Sequence, residues 1–262
     1  MSFLTIVIFA NYLFNIVTNQ DIKIDNGKFS SIDFEELEKK NAEDILSWSM
    51  EKFYPKISFA SSFGAEDVVV IDLMMKVNKN NARIFTLDTG RLNPETYDVM
   101  DKIQKRYDIS IETLFPNYLD VEKMVYEKGI NLMYKSITDR KLCCDIRKVR
   151  PLRKFLATLD AWITGIRRDQ TFTRTNIKKI EIDTSNNGIF KINPLADWTN
   201  DMVWEYIKKN DVPYNKLHDL GYPSIGCAPC TRAILPGDDL RSGRWWWEND
   251  LHKECGLHWN KD

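Results

Sequence analysis

The sequence predicts an α/β fold: a single Rossmann-like domain with a mostly parallel sheet, followed by a C-terminal tail. Two observations predict it. Short apolar runs typical of buried strands alternate with longer segments of helical periodicity, and the strand-like runs are followed by loops of small or polar residues. The chain has 262 residues, of which 43% are hydrophobic, and this is enough to bury one full core.

The first elements form a strand–loop–helix unit. A helical pattern opens at Asp33 and ends at Pro55. Residues 57–60 predict a short buried strand and residues 66–77 a buried helix, with a loop of small residues between them. This arrangement aims backbone N–H groups and the positive end of a helix at a phosphate.

The same alternation continues along the chain. Further strands are predicted at residues 83–87, 109–114 and 161–164, and two more on either side of the turn at 186–188. Further helices are predicted at residues 94–107, 121–128, 142–149 and 200–209. The helix 142–149 is expected to end before Pro151.

Three loops follow predicted strands and should converge on one pocket, because ligands bind beyond the carboxyl ends of the strands in such sheets. The candidate substrate-binding residues on these loops are Ser61, Ser62, Phe63, Gly64, Asp67, Leu87, Asp88, Arg91, Gly165 and Arg167.

Charge and cysteine usage limit the partners and the compartment. The formal net charge of −1 gives no reason to expect nucleic acid or an anionic membrane as a general partner. Five cysteines, an odd number without a disulfide-like framework, favour a reducing compartment with free or metal-bound thiols. A cytoplasmic location is the expectation.

The N-terminal 30 residues form a separate extension in this reading, before a domain at 31–225 and a C-terminal segment at 226–262. Residues 3–17 are largely apolar, but no Lys or Arg precedes them and no small-residue cleavage pattern follows. The stretch is also shorter than the roughly 20 residues that span a bilayer. A packed or interface-forming extension is therefore expected, and its role is unassigned.

Four of the cysteines form two close pairs, Cys143 with Cys144 and Cys227 with Cys230. The second pair is compatible with a redox pair, half of a zinc site or half of an iron–sulfur site. Adjacent cysteines such as the first pair are not the usual spacing of zinc ligands. Ligand type alone leaves zinc and iron–sulfur open.

The fifth cysteine, Cys255, is the candidate nucleophile. His258, Arg241 and Arg244 could supply the positive charge that favours a thiolate, and both arginines suit phosphate or sulfate oxygens. Lys148 is placed on the helical face of Cys144 by the predicted helix 142–149. The three consecutive tryptophans at 245–247 are expected to anchor the tail.

Several motifs together resemble the assimilatory adenylyl-sulfate (APS) and phosphoadenylyl-sulfate (PAPS) reductases, in the branch that carries an iron–sulfur cluster. The resemblance spans roughly residues 57 to 258, far more than a single motif. The motifs are Ser61-Ser62-Phe63-Gly64-Ala65-Glu66-Asp67, Leu87-Asp88-Thr89-Gly90-Arg91, Cys143-Cys144-Asp145-Ile146-Arg147-Lys148-Val149, Gly165-Ile166-Arg167-Arg168-Asp169-Gln170, Gly226-Cys227-Ala228-Pro229-Cys230, and Glu254-Cys255-Gly256-Leu257-His258.

The resemblance implies an adenine nucleotide alpha hydrolase-like fold and an enzyme of sulfate assimilation that reduces APS to sulfite and AMP. It implies a Cys255 S-sulfonate intermediate and thioredoxin or glutaredoxin as the dithiol donor. It also implies a [4Fe-4S] cluster on the four paired cysteines. The residues it implies for holding the sulfonate are Lys148, Arg241, Arg244 and His258.

Alternatives remain at this stage. The substrate could instead be PAPS, or both nucleotides. A non-redox PP-loop nucleotide-binding enzyme is another class, but Phe63 stands where that loop usually has glycine, and its terminal serine is absent. A plain metal-binding interaction module is a third reading. A homo-oligomer is compatible with the sequence.

Overall fold

The computed structural model describes residues 32–171 and 174–248. The predictions for residues 1–30, for Cys255 and for His258 lie outside the described residues. The chain divides after Leu37 into two units. The sheet and the four described cysteines belong to the second unit, and so do residues 226–248.

Six strands form one sheet in the order β3-β2-β1-β4-β6-β5. Strands β1 to β4 and β6 pair in parallel, and β5 pairs with β6 in antiparallel orientation. The strands are β1 Ile57–Ser61, β2 Ile84–Leu87, β3 Glu112–Leu114, β4 Ala161–Ile163, β5 Ile180–Asp183 and β6 Ile189–Ile192. The predicted α/β class with a mostly parallel sheet is therefore confirmed.

Eight α-helices lie within the described ranges. They are α1 Phe34–Glu38, α2 Ala42–Phe53, α3 Ala65–Asn78, α4 Pro94–Tyr107, α5 Tyr118–Lys128, α6 Ile137–Cys144, α7 Arg150–Leu156 and α8 Asn200–Lys209. In the described part of the chain, no helix has both the length and the apolar character that crossing a membrane requires.

The first predicted helix, from Asp33 towards Pro55, is interrupted. Helix α1 ends at Glu38, and α2 begins at Ala42. The side chain of Asn41 accepts a hydrogen bond from the Asp44 N–H at 2.7 Å, and such a cap starts a new helix. The apolar periodicity on both sides concealed this break.

The helix predicted at 142–149 is wrong in its bounds. Helix α6 already starts at Ile137, and a single π-helical turn, Asp145–Val149, joins it directly to α7. Pro151 follows the π turn inside this continuous helical stretch, where its missing N–H removes one backbone hydrogen bond. The helical stretch nevertheless continues through the proline, after a π turn of the kind often found at functional sites.

The order of the strands positions the site. From β1 the chain adds β2 and β3 on one side of the sheet, and β4 on the other side. The carboxyl ends of β1 and β4 therefore flank the topological switch point, where ligands bind in open α/β sheets. The core behind this edge is fully buried at Phe59, Phe85 and Ile163.

A buried carboxylate ties three helices together behind the sheet. Asp72 of α3 accepts hydrogen bonds from the hydroxyls of Tyr107 and Tyr206, both at 2.6 Å. Its Oδ2 also lies 2.7 Å from Lys76 Nζ. Burial opposes ionisation, but the hydrogen bonds from Lys76 and the two tyrosines hold the pKa of Asp72 below its ordinary 3.8.

Replacing Asp72 by Asn should lower the free energy of unfolding at pH 7 by about 2–3 kcal/mol, because hydrogen bonds to a buried charge are lost. A depressed pKa stabilises the fold above pH 3.8, and this contribution fades as the pH falls through the folded pKa. Urea unfolding at pH 7 and at successively lower pH measures both effects.

Asp101→Asn is the matched control. Asp101 pairs with Lys105 at 2.6 Å on an exposed helix face, and such pairs contribute less than about 1 kcal/mol. A stability difference between Asp72→Asn and the unchanged protein that stayed constant down to pH 3 would contradict the role of the Asp72 charge.

Candidate active site

A cleft of about 670 Å³ opens at the carboxyl edge of β1, β2 and β4. The predicted loops after β1 and β4 converge there, whereas the loop after β2 contributes only Leu87 and Leu92 at its ends, and the C-terminal segment closes one side. The predicted residues that line the cleft are Ser61, Ser62, Gly64, Asp67, Leu87, Lys148, Gly165, Arg167, Arg241 and Arg244. Their contact with a substrate stays a prediction.

Three predicted residues lie off the cleft. Phe63 is buried in the core with a positive φ of 59°, so it shapes the loop backbone. Asp88 accepts hydrogen bonds from the Gly90 N–H and the Tyr97 hydroxyl. Arg91 donates to the carbonyl of Ile130 at 2.9 Å and lines a second, smaller cavity.

The loop after β1 meets a carboxylate at the start of α3. Asp67 Oδ2 accepts hydrogen bonds from the backbone N–H of Ser62 at 2.5 Å and from its hydroxyl at 2.8 Å. Burial raises the pKa of Asp67 to about 6. A Cβ on Gly165 would lie well inside van der Waals distance of Asp67 Oδ1. Gly165 therefore keeps this wall in place.

Arg167 is only 1% exposed, and its charge is already balanced. Its Nε and Nη2 donate to Glu66 Oε1 at 3.0 and 2.9 Å. The side-chain amide of Gln170 donates to the same oxygen at 2.9 Å. Arg167 therefore builds the wall of the cleft together with Glu66, a residue that the loop argument did not single out.

All four described cysteines line the second cavity. Cys143 and Cys144 end helix α6, Cys227 precedes the 3-10 turn Ala228–Cys230, and Cys230 ends that turn. No disulfide joins any of the four. The pairing of the two cysteine motifs, 83 residues apart between Cys144 and Cys227 in sequence numbers, is thus a property of the fold.

The surroundings of this cavity affect the pKa values of its cysteine thiols differently. Burial opposes ionisation of Cys227, but Lys148, a hydrogen bond with Thr89 and the nearby Arg244 bring its pKa below the ordinary thiol value. The Thr89 Oγ1 to Cys227 Sγ distance is 3.2 Å. Burial raises the pKa of Cys230 to about 12. The surroundings therefore shift the pKa values of Cys227 and Cys230 in opposite directions.

Two basic residues of the π turn lie here. Lys148 lines both cavities. It therefore lies between the cysteines and the cleft, as the sequence predicted, although a π turn places it there and not the α-helix predicted at 142–149. Arg147 is only 7% exposed. Its Nη1 donates to the Thr89 carbonyl at 2.6 Å. No charge pattern in the sequence distinguishes it from its exposed neighbour Arg150.

The tryptophan run anchors the C-terminal segment, as predicted. Trp245 is 1% exposed and packs in an apolar cluster with Cys143 and Cys230, while its backbone N–H donates to the Cys230 carbonyl at 3.2 Å. The guanidinium of Arg244 lies over the Trp245 ring, 4.9 Å from its centroid. The same ring thus supports the cysteine cavity and a cleft arginine.

Sequence reasoning missed part of the cleft wall. Trp204 of α8 and His218 line it, and their rings meet edge to face at 5.2 Å. His218 Nε2 is buried with no hydrogen-bond partner in the described part, and burial lowers the His218 pKa. Neither residue follows a strand, so the loop rule could not find them.

The fold and the site define an α/β protein with a nucleotide-sized cleft at the sheet's switch point and a four-cysteine centre beside it. The chain belongs to the phosphoadenosine phosphosulfate reductase domain family, whose model matches residues 56–233.

Individual relatives agree with this assignment. Adenosine 5′-phosphosulfate reductase from Burkholderia cepacia is 48% identical over 215 residues, which cover 82% of this chain and 85% of that protein. The enzyme of the same name from Pseudomonas aeruginosa is 46% identical over 227 residues, 85% of this chain and 84% of that protein. The crystal structure of PAPS reductase from Candida auris, a phosphate complex, superposes with a TM-score of 0.65 at 28% identity, covering 77% of this chain and 98% of that one.

Replacing Gly165 by Ala should destabilise the protein by about 1–3 kcal/mol even without ligand, because the added methyl group overpacks against Asp67. The displaced cleft wall should also weaken AMP binding at least about tenfold, because a loss of about 1.4 kcal/mol of binding free energy raises the dissociation constant by that factor. Urea unfolding and equilibrium AMP titration are the measurements.

Gly64→Ala is the matched control in the same cleft. A Cβ there would have no neighbour closer than 3.9 Å, and its φ of −71° suits any residue. Gly64→Ala should lower the free energy of unfolding by less than about 1 kcal/mol, because alanine is a poorer N-cap residue than glycine. Equal destabilisation by both variants would refute the steric role of Gly165.

Proposed function

We propose that the protein reduces APS to sulfite and AMP in sulfate assimilation, with thioredoxin or glutaredoxin as the electron donor. The observation that carries the proposal is the position of Lys148, which lines both the cleft and the cysteine cavity. The names of the relatives, adenosine 5′-phosphosulfate reductases of bacteria, support the same activity.

The cleft offers a basic end for the phosphosulfate group. Lys148, Arg241 and Arg244 all line it, and Arg244 is 7% exposed beside the Trp245 ring. Guanidinium groups bind phosphate and sulfate oxygens in a bidentate manner. We place the sulfonate at this end, which leaves the loop after β1 and the wall formed by Arg167 for the nucleoside.

Cys255 carries the covalent step. Its thiolate attacks the sulfur of APS, a sulfur–sulfur bond forms, and AMP leaves with the electron pair of the broken S–O bond. A thiolate of the donor then attacks Cys255 Sγ, and sulfite leaves with the electron pair of the sulfur–sulfur bond. The second donor thiol resolves the mixed disulfide and restores Cys255. The donor is thereby oxidised by two electrons.

An external donor follows from the place of the other thiols. Cys143, Cys144, Cys227 and Cys230 share one cavity. We assign these four to the cofactor, and no other cysteine of the five in this sequence is then left as a partner for Cys255. The reducing conditions that these thiols need support a cytoplasmic location.

The cysteine cavity fits a [4Fe-4S] cluster held by these four residues. Three buried N–H groups, Arg147 Nε, Trp245 Nε1 and Trp247 Nε1, have no hydrogen-bond partner among the described residues. Arg147 lines the cavity, and both tryptophans pack on its cysteines. Cluster sulfurs accept such hydrogen bonds. The cluster would act as a local charge, without net electron transfer.

A single zinc ion is the other metal that four cysteines could hold. Zinc sites usually take two pairs of spaced cysteines, and the adjacent Cys143 and Cys144 do not have that spacing. The spacing therefore favours the cluster over zinc.

PAPS is the second candidate substrate, favoured by the structural likeness to the PAPS reductase of Candida auris. Its chemistry at sulfur is the same, and only the additional 3′-phosphate differs. Parallel assays with both nucleotides separate the two.

Anaerobically purified protein with reduced thioredoxin should release sulfite and AMP in equal amounts from APS. Cys255→Ser should reduce this rate by at least about 10³-fold, the usual cost of removing a nucleophile. Mass spectrometry should find the S-sulfonate on Cys255 when APS is supplied without a donor. An S-sulfonated Cys255→Ser protein would disprove the assignment, and equal turnover of PAPS would make the substrate specificity dual.

Iron and acid-labile sulfide analysis tests the cofactor independently of activity. About four irons per chain are expected for a [4Fe-4S] protein. Cys144→Ser and Cys230→Ser should lose most of the iron and the visible absorbance. Cys255→Ser is the control and should keep both. Zinc in place of iron after anaerobic purification would overturn the cluster assignment.

A further inference from the structure

We propose that the buried ion pair between Arg140 and Glu248 is a positioning device that makes the placement of Cys255 depend on the cysteine centre. The inference rests on the proposed function. It assigns a role to two residues that neither line the nucleotide cleft nor ligate the cluster.

The ion pair, called the Arg140–Glu248 joint below, holds its two side chains in one fixed geometry. Arg140 Nε donates to Glu248 Oε1 at 2.8 Å, and Arg140 Nη2 donates to Oε2 at 2.9 Å. The two side chains are 3% and 2% exposed. Bidentate contacts of this kind fix the relative orientation of the two groups as well as their distance.

Arg140 also touches the cysteine centre directly. It lines the cysteine cavity, and its guanidinium is hydrogen-bonded to Cys144, a contact that adds to the effect of Glu248 on the Arg140 pKa. The same guanidinium lies over the Trp245 ring, 4.6 Å from its centroid. One side chain therefore connects a cluster ligand, the anchoring tryptophan and Glu248.

The positions of Arg140 and Glu248 in the sequence connect this joint to both the cysteine pair and Cys255. Arg140 precedes Cys143 and Cys144 on helix α6. Glu248 precedes Cys255 by seven residues, a length that spans at most about 25 Å. The point at which Glu248 is held therefore limits where the nucleophile can be presented to the cleft.

Stability alone does not explain such a pair. Buried ion pairs often contribute little net stability compared with apolar residues of the same size, whereas removing one partner is costly. The bidentate joint instead selects one placement of the segment. Misplacing a reacting group by about 1 Å can cost about 100-fold in rate, so the joint acts on the covalent step.

The test uses the full, cluster-loaded chain with Glu248→Gln, which keeps the side-chain size and removes its charge. S-sulfonation of Cys255 by saturating APS in a single turnover should slow by about 10–100-fold. The iron content and the dissociation constant for AMP should change less than about threefold. Asp120→Asn is the control, because it breaks the exposed pair with Arg150 at 3.1 Å, and it should leave all three unchanged.

A double variant, Arg140→Met with Glu248→Leu, keeps the proposal falsifiable if the single variant folds poorly. It leaves no uncompensated buried charge, so stability and iron content should return towards those of the unchanged protein. S-sulfonation should remain slow. A wild-type S-sulfonation rate in either variant, or a fall in AMP affinity that matches the loss of rate, would overturn the positioning role.

Iodoacetamide labelling of Cys255 with AMP bound separates this inference from the proposed function. The labelling rate should rise at least about fivefold in Glu248→Gln, since the thiol is no longer held towards the cleft. Absence of sulfite from the unchanged protein would refute the proposed reaction. An unchanged labelling rate in Glu248→Gln would refute the joint, whatever the reaction proves to be.

Discussion

The site depends on one topological constraint, the divergence of the chain on either side of β1. Because β2 and β4 flank this strand, three loops from distant parts of the sequence end at the same edge of the sheet. The loops after β1 and β4 face the cleft, as expected at a switch point, whereas Arg91 of the loop after β2 lines the cysteine cavity. Gly165, packed against Asp67, shows how close that approach is. The ion pair between Arg167 and Glu66 completes the wall of the cleft, and the arginine side chain is only 1% exposed.

The cysteine cavity imposes a second constraint, which concerns charge. Four cysteine thiolates next to an anionic substrate would repel it without cations between them. Lys148 lines both cavities, and Arg147 is buried against the Thr89 carbonyl. The π turn at Asp145–Val149 places both residues directly after the cysteine pair. This local departure from α-helical geometry is thus where the cysteine cavity and the cleft meet.

Local signals predicted many elements well. Pro94 and the periodicity after it gave the exact bounds of α4, and Asn200–Lys209 was equally exact, since strong start signals and amphipathic patterns act within a few residues. The break at Asn41 was missed because a capping side chain won over an unbroken apolar pattern. The helix at 142–149 was misjudged because the helical stretch continues through Pro151 after a π turn. Phe63, Asp88 and Arg91 followed strands, as cleft residues do, but their side chains point to other partners.

The sequence by itself determined the fold class, the family and the residue types of the site, because motifs and periodicity are local properties of the chain. Only the tertiary structure decided which of those residues meet. The two cysteine pairs share a cavity because helix α6 and the turn Ala228–Cys230 pack together. Arg140 and Glu248, 108 residues apart, form a joint that no spacing rule reveals. Long-range packing selects such contacts, and their free energy depends on burial that a linear pattern does not contain.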